Sequence, residues 1–231
     1  MMKGDFMAKR PVFVPQEKAP FARAIATEFS WNGGFAPSQK QKNIRALHGA
    51  FQAVHPDARI LEISSKSMQE NGTALSAFAL PKYVPALGNS VPVENVFQAG
   101  KVFEHGGPYP DFLTASPRDA KRDERLRTGG KLTGFVFDGK TYPTEPKTAF
   151  YDYLYITALL ENPALAETVL SYDAFTDIEF NPQKSLNCQA AAAARFVSLH
   201  RLGLLKESLI FEKFLGLYAL GEAKNSQEKE I

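Results

Sequence analysis

The chain has 231 residues, of which 44% are hydrophobic and 23% charged, so it can bury a sizeable core as a globular protein. The net charge of +2 neither requires nor excludes a nucleic-acid partner, which would need a local basic patch. The single cysteine excludes an internal disulfide, and without a CxxC or HExxH motif we expect no metal and no cofactor. No stretch resembles a signal peptide or a membrane span, so we expect a cytoplasmic protein.

Strand-like patterns are confined to the first 65 residues. Hydrophobic residues in Pro11–Pro15, alternation at period two in Ile25–Trp31 and the apolar run in Arg59–Ser64 each predict a strand. Pro37–Val54 has helical spacing and begins with a proline suited to a first turn. Three short strands predict a small antiparallel sheet.

The rest of the chain has mainly helical periodicity. The predicted helices are Pro92–Phe103, Ser116–Asp123 with a capping box, Thr144–Glu161, a helix from Pro163 to about Tyr172, Asn187–Leu202 and Lys206–Gly221. No repeat or linker divides the chain, and residues 1–10 and 222–231 are predicted to be mobile tails. We therefore predict one domain, 1–231, mainly α with a small antiparallel sheet (α+β).

The segment SVPVENVFQAGKVF (Ser90–Phe103) combines four chemically different side chains on one predicted helical stripe. These side chains are Glu94, Phe97, Gln98 and Lys101. Residues seven apart lie nearly in line, roughly 10.5 Å along the axis. A carboxylate in the first turn is favoured by the helix dipole. From spacing alone, a solvated face with a capping glutamate is the simpler interpretation, and a functional site is the alternative.

Paired carboxylates occur in YDAFTDIEFNPQKSLN (Tyr172–Asn187). In an extended chain Asp177 and Glu179 would point to the same face, opposite Ile178. Two carboxylates in different environments can divide acid and base roles. The alternative is a polar strand face beside the core.

Other polar segments are also candidates. Arg118–Lys131 has six basic and three acidic residues and a Gly-Gly pair, so it could contact phosphates or form a solvated helix and loop. The polar residues from Ser64 to Ser67 follow the end of a predicted strand, where ligand contacts are frequent. The alternative is a polar loop without a binding role. Tyr109 follows a Gly-Gly-Pro turn and could stack on a base or simply belong to the loop. Cys188 is interpreted as a buried, inert thiol.

These segments, in this order, resemble the NADAR superfamily, also called YbiA-like. The matching pieces are Leu75–Phe78 (LSAF), Val93–Lys101 (VENVFQAGK), Ser116–Phe135, Asp177–Phe180 (DIEF) and Asn187–Leu199. The closer resemblance is to the subgroup paired with DarT-type toxins, which extends it over nearly the whole chain through WNGGFAPSQKQKNIRALH, LEISSKS, FQAGKVFEHGGPYPDFL, EPKTAFYDYLYI and YDAFTDIEFNPQKSLNCQA.

The sequence departs from the wider family at two places. Asn95 stands where the family has a histidine, and Asn181–Leu186 replaces its Asp-x-x-Trp-Gly stretch.

The resemblance implies a single-domain NADAR/YbiA-like fold and an ADP-ribosyl glycohydrolase. Such an enzyme would remove ADP-ribose from guanine bases of DNA and act as the antitoxin to a DarT-type ADP-ribosyltransferase toxin. Its partners would be ADP-ribosylated DNA, ADP-ribose as product and the toxin. The alternatives are a YbiA-like N-glycosidase acting on a small ribosylated metabolite, a module that binds ADP-ribose or NAD without cleaving it, and a neutraliser that binds the toxin.

The resemblance also suggests roles for individual residues. Glu94 becomes the leading acid/base, and Lys101 either forms a Schiff base with the opened ribose or binds its hydroxyls. Asp177 and Glu179 would orient the ribose or activate water. Ligand contacts are predicted at Ser64, Lys66, Phe97, Gln98, Tyr109 and Asn187, and nucleic-acid contacts at Arg122, Arg125 and Arg127.

Overall fold

The computed structural model describes residues 6–218. In chain order its elements are β1 (Phe6–Pro15), β2 (Ala22–Trp31), α1 (Pro37–Gln52), β3 (Ile60–Glu62), α2 (Glu70–Ala74), β4 (Pro81–Val84), β5 (Asn89–Pro92), α3 (Val93–Ala99), β6 (Lys101–Phe103), α4 (Pro117–Arg122), α5 (Arg125–Thr128), β7 (Leu132–Phe137), β8 (Lys140–Tyr142), α6 (Ala149–Glu161), α7 (Pro163–Leu170), β9 (Ala174–Thr176) and α8 (Gln189–Arg201). Residues 211–218 are also helical. The protein therefore has the α+β fold predicted from its sequence.

The described chain divides into two compact units. The first comprises the residues up to Ser76 together with Glu167–Leu204, and the second comprises Ala77–Ala166 together with the residues from Leu205 on. The single domain expected from the sequence stays a prediction.

The first unit is built on a sheet with the strand order β2-β1-β9-β3. The pairs β1–β2 and β1–β9 are antiparallel, whereas β3 and β9 are parallel. Helix α1 buries Ile44, Leu47 and Phe51 in a core shared with Val12 and Phe29 of the sheet. The five alanines at the start of α8 are buried, and their small side chains let this helix pack closely on β1, β2 and β9.

The second unit combines the β4–β5 hairpin with the sheet β6-β7-β8. All seven residues of α3 are buried, and this helix packs against α4 and α6. Gly100 follows α3 directly, and a Cβ atom there would lie 2.7 Å from the Val136 carbonyl oxygen. Glycine is therefore required where the end of α3 meets β7.

Several predicted boundaries are wrong. The helix predicted to reach Phe103 ends at Ala99, because the Val136 N–H donates to the Gly100 carbonyl and the chain then pairs with β7. Strands are not confined to the first 65 residues, since β4 to β9 lie beyond them. These strands are three to six residues long, too short for alternation to reveal them.

The predicted tails are tested only in part. Residues 6–10 were expected in a mobile tail but form the first half of β1, because they pair with β2. Residues 1–5 and 222–231 lie outside the described residues. Among residues 6–218, none of the helices is both long and apolar enough to span a membrane.

Candidate functional site

In the second unit, Glu94 is a buried carboxylate in the first turn of α3, with 3% of its surface exposed. Its Oε1 atom accepts a hydrogen bond of 2.8 Å from the Gln98 side-chain amide and lies 3.3 Å from the Lys121 ammonium nitrogen. Its other oxygen, Oε2, has no hydrogen-bond partner among the described residues. One oxygen of the Glu94 carboxylate is therefore engaged by neighbouring side chains, whereas the other has no such partner among the described residues.

Lys101 lies at the start of β6, with its Nζ atom 4.8 Å from the centre of the Phe97 ring. Burial lowers the pKa of Lys101 to about 8, although the negative charge of Glu94 acts in the opposite direction. The positive charge of Lys121 lowers this pKa further. An amine with such a pKa is partly neutral near physiological pH, the state in which it can act as a nucleophile.

The prediction that Glu94 and Lys101 share a helical stripe is wrong in its geometry. Lys101 lies beyond the end of α3, and Gly100 separates the helix from the strand. The two charges nevertheless interact, as their effect on the pKa of Lys101 requires. The chain brings them together by a helix-to-strand turn and not by helical periodicity.

Phe97 and Gln98 fill the interior beside this pair. Phe97 is 6% exposed and its ring packs against Phe135, Phe150 and Tyr151, with ring centres 5.1–6.3 Å apart. The side-chain amide oxygen of Gln98, Oε1, is buried and has no hydrogen-bond partner among residues 6–218. Since buried acceptors are nearly always satisfied in proteins, this oxygen could accept a hydrogen bond from a ligand.

Lys121 of α4 is a member of this cluster that the sequence did not reveal. Its ammonium group contacts Glu94 and lies 5.1 Å from the centre of the Phe78 ring, while 55% of its side chain is exposed. Lys121 occurs in the basic run Arg118–Lys131, but no spacing rule connects that run with Glu94. Glu94, Gln98, Lys101 and Lys121 are referred to below as the Glu94 cluster.

In the first unit, a second buried carboxylate lies at the end of β3. Oε1 of Glu62 accepts hydrogen bonds from the Ser64 hydroxyl at 2.6 Å and the Ile178 N–H at 2.9 Å. Oε2 accepts one from the Thr176 hydroxyl at 2.6 Å. Burial raises the pKa of Glu62 above its usual value, and the three hydrogen bonds act against that shift.

Asp177 follows β9 in a turn, so the expectation of an extended segment is wrong. Its Oδ1 atom accepts hydrogen bonds from the backbone N–H groups of Glu179 and Phe180, at 3.0 and 3.2 Å. Burial and the nearby Glu62 carboxylate raise the pKa of Asp177. Glu179 is exposed and forms a 3.0 Å ion pair with Lys40. The two acids therefore have different environments, as paired carboxylates with different roles require.

A histidine extends the hydrogen bonds of Glu62. Nε2 of His48 lies 2.8 Å from the Thr176 hydroxyl oxygen. Because the Thr176 hydroxyl donates its proton to Glu62, His48 must donate to Thr176. Burial lowers the pKa of His48 to about 4, so the ring is neutral near physiological pH. Glu62, Ser64, Thr176, Asp177 and His48 are referred to below as the Glu62 cluster.

The predicted ligand contacts of the first unit have distinct environments. The Ser64 hydroxyl donates to Glu62 and accepts from the Lys66 backbone N–H at 3.1 Å. The Asn187 side-chain oxygen is buried without a hydrogen-bond partner in the described part of the chain. Cys188 is buried, and burial raises its pKa, as expected of an unreactive thiol.

The basic run of the second unit separates into two kinds of arginine. The Arg125 guanidinium forms ion pairs with Asp111 and Asp123, at 2.6 and 2.9 Å. It also lies 4.8 and 4.6 Å from the ring centres of Tyr109 and Phe112. Tyr109 is only 8% exposed, which favours the interpretation as part of the loop, and a ligand contact at Tyr109 stays a prediction.

The other two arginines that were predicted as nucleic-acid contacts, Arg122 and Arg127, are exposed. In the described part of the chain, no group of three or more His, Cys, Asp or Glu side chains could hold a metal ion.

Residues 8–228 match the model of the DarT1-associated NADAR antitoxin family, and the chain belongs to this family. The match confirms both the superfamily and the DarT-associated subgroup expected from the sequence. No curated protein matches the chain.

Proposed function

We propose that the protein is an ADP-ribosyl glycohydrolase that removes ADP-ribose from guanine bases of DNA and thereby counteracts a DarT-type toxin. Membership of the DarT1-associated antitoxin family supports the biological role. The observation that carries the chemistry is the Glu94 cluster, in which a lysine with a pKa of about 8 lies near a buried carboxylate.

The scissile bond joins the anomeric carbon of a ribose to the exocyclic nitrogen of guanine. Its cleavage builds positive charge on the sugar, and the departing base needs a proton. Glu94 is suited to these tasks because its carboxylate is held by Gln98 and Lys121 through one oxygen, while the other has no partner among the described residues. We assign Glu94 as the acid/base.

Two roles are open to Lys101. As a nucleophile, its neutral amine forms a bond to the anomeric carbon while the bond to guanine breaks and guanine leaves with a proton. The ribose ring then opens at the bond between the anomeric carbon and the ring oxygen, which takes up the proton lost by the amine, and an imine results. Water hydrolyses this imine to release ADP-ribose and the lysine. As a binding residue, its ammonium group donates hydrogen bonds to the ribose hydroxyls. The lowered pKa favours the first role, because it increases the fraction of neutral amine.

The remaining assignments concern substrate binding. Phe97 forms a wall beside Lys101, and the Gln98 oxygen offers an acceptor. Arg122 and Arg127 are exposed and suited to contact DNA phosphates, whereas the donors of Arg125 are engaged by Asp111 and Asp123. The predicted roles of Ser64, Lys66, Asp177, Glu179 and Asn187 remain part of the proposal.

The test is hydrolysis of an oligonucleotide that carries one ADP-ribosylated guanine, followed as release of free ADP-ribose. Glu94→Gln keeps the shape of the side chain and should lower the turnover rate about 100- to 10,000-fold with little change in ADP-ribose affinity. Glu124→Gln, which alters an exposed glutamate of the same unit, is the matched control and should behave like the wild type.

The outcomes separate the rival functions. Binding of ADP-ribose without any release from modified DNA would identify a binding module and refute the proposal. Cleavage of small ribosylated metabolites but not of modified DNA would identify a metabolite glycosidase. Near wild-type turnover by Glu94→Gln would remove Glu94 from the chemistry.

A further inference from the structure

The last residue pair of two neighbouring parallel strands is linked through a side chain. Glu62 ends β3 and Thr176 ends β9, and the two residues are partners in the parallel register. The Thr176 hydroxyl also donates to the Glu62 carboxylate. The carboxyl ends of parallel strands meet at one edge of a sheet, where loops that bind ligands commonly begin.

Glu62 holds the residues on both sides of Asp177. Thr176 precedes Asp177 and donates to Oε2 of Glu62, whereas Ile178 follows Asp177 and its N–H donates to Oε1. The same Oε1 atom accepts from the Ser64 hydroxyl. One buried carboxylate therefore determines how the segment with Asp177 leaves the sheet.

Asp177 itself has a free acceptor. Its Oδ1 atom is engaged by two backbone N–H groups, but Oδ2 has no hydrogen-bond partner among the described residues. Asp177 is only half-buried, so a ligand hydroxyl could reach this oxygen. A carboxyl oxygen held in this way can accept a hydrogen bond from a ribose hydroxyl when the group is ionised, or donate one when it is protonated.

The buried charge at this position is costly, because Glu62 lies beside another ionisable carboxyl group. An apolar residue at the end of β3 would avoid that cost but would leave the three donors that contact Glu62 without an acceptor, so the turn with Asp177 would lose its support. The raised pKa values of Glu62 and Asp177 have the same origin, burial combined with proximity of like charges. Such an arrangement is typical of functional sites.

We propose that Glu62 is a positioning residue for ribose recognition, which holds the turn that carries Asp177 so that Oδ2 of Asp177 binds hydroxyls of the ADP-ribosyl group. The inference rests on the proposed function in naming ADP-ribose as the ligand. Glu62 acts through Asp177 and does not touch the ligand itself.

The test is a double-mutant cycle on ADP-ribose binding, measured by calorimetry with the full chain. Glu62→Gln and Asp177→Asn should each weaken binding by about tenfold, the size of one good hydrogen bond to the ligand. If Glu62 acts only through Asp177, the double variant should bind no more weakly than Asp177→Asn alone. Glu28→Gln, at an exposed position of the same unit, is the matched control.

A second variant keeps the test decisive if Glu62→Gln does not fold. Thr176→Val removes one donor to Glu62 but leaves the carboxylate. As a single substitution it should weaken ADP-ribose binding by about threefold, whereas added to Asp177→Asn it should cause no further loss of affinity. Thr27→Val, a buried threonine elsewhere in the unit, controls for loss of a hydroxyl.

Losses that multiply in the double variants would overturn the proposal, because Glu62 would then act independently of Asp177. Wild-type affinity in Glu62→Gln, or in Thr176→Val where the former does not fold, would also overturn it. Absence of ADP-ribose binding by the wild type would refute it as well. The turnover assay on modified DNA decides the proposed function separately, since binding can follow the expected cycle even where no hydrolysis occurs.

Discussion

The two glutamates that are buried among residues 6–218 have opposite electrostatic surroundings. Glu94, in the second unit, lies beside two cations, Lys101 and Lys121. Glu62, in the first unit, lies beside another carboxyl group, Asp177, and is stabilised by two hydroxyls and a backbone N–H. Burial therefore shifts the pKa of different groups according to the charge of the neighbouring residues.

In the Glu94 cluster, burial lowers the pKa of the Lys101 amine towards neutral pH. In the Glu62 cluster, burial raises the pKa values of the Glu62 and Asp177 carboxyl groups. We propose that the first arrangement supplies a nucleophile and that the second holds a turn at the expense of stability. Variants of each cluster should therefore change different properties of the protein.

The largest effect is expected from Lys101→Arg, which keeps the positive charge but cannot form an imine. We expect turnover of modified DNA to fall by about 1,000-fold or more, as for loss of other catalytic nucleophiles. Single-turnover release of ADP-ribose is the measurement, and Lys140→Arg in the same unit is the control because Lys140 is exposed. An active Lys101→Arg would show that Lys101 only binds substrate.

A pH profile should sharpen the difference between the clusters. If the neutral amine of Lys101 is the reactive form, kcat/KM should rise with pH through about 8, the pKa of Lys101. Lys121→Met removes a positive charge near Lys101 and should therefore raise the pKa of Lys101. The rise in kcat/KM should then occur at higher pH, and kcat/KM at pH 7 should fall by about tenfold. An unchanged pH dependence of kcat/KM in Lys121→Met would show that Lys121 does not influence the pKa of Lys101.

Charge reversal in the basic run should have a smaller effect that depends on the substrate. Arg122→Glu combined with Arg127→Glu should reduce turnover of a modified oligonucleotide by about tenfold, with little change for a modified nucleoside, and the loss should fade with salt. Arg125→Glu should instead lower Tm, because it breaks the ion pairs with Asp111 and Asp123. Equal losses on both substrates in the double variant would indicate a role in folding.

The smallest effect concerns the pH dependence of stability. A carboxyl whose folded pKa is raised contributes stability that is complete below its usual pKa, 4.5 for Glu62, and lost as pH rises through the folded pKa. Glu62→Gln should therefore flatten the fall in unfolding free energy between pH 4.5 and neutral pH, by on the order of 1 kcal/mol.

Urea denaturation at a series of pH values measures this slope, with Glu28→Gln as the control. Lys101 has the opposite sign, because a lysine with a lowered folded pKa regains stability as pH rises from about 8 towards 10.5. A slope in Glu62→Gln identical to that of the wild type would show that Glu62 does not titrate in this range.

The sequence predicted the Glu94 cluster better than the Glu62 cluster for a physical reason. Glu94 and Lys101 are close in the chain, so one contiguous motif contains both. The pairing of Glu62 with Thr176 spans 114 residues and depends on a three-residue strand, β9, that has no periodic pattern. No local rule connects positions so far apart.

The same limit explains the wrong end of the helix before Lys101. Helical spacing continues to Phe103, but Gly100 and Lys101 pair with the backbone of β7 instead. That competing partner lies about 35 residues further along the chain. By contrast, the Ser116 cap was predictable because its partner, the Asp119 N–H at 3.2 Å, lies within one helical turn. The basic run identified Arg125 but not its carboxylate partner Asp111, which is distant in sequence.

The central claim is that Lys101 reacts with the ribose, and borohydride reduction during turnover tests it most directly. We predict that reduction traps one ADP-ribose equivalent covalently on the wild type, that the adduct maps to the peptide containing Lys101, and that Lys101→Arg traps none. Full turnover by the wild type without any adduct, or an adduct that maps to Lys121, would contradict the account.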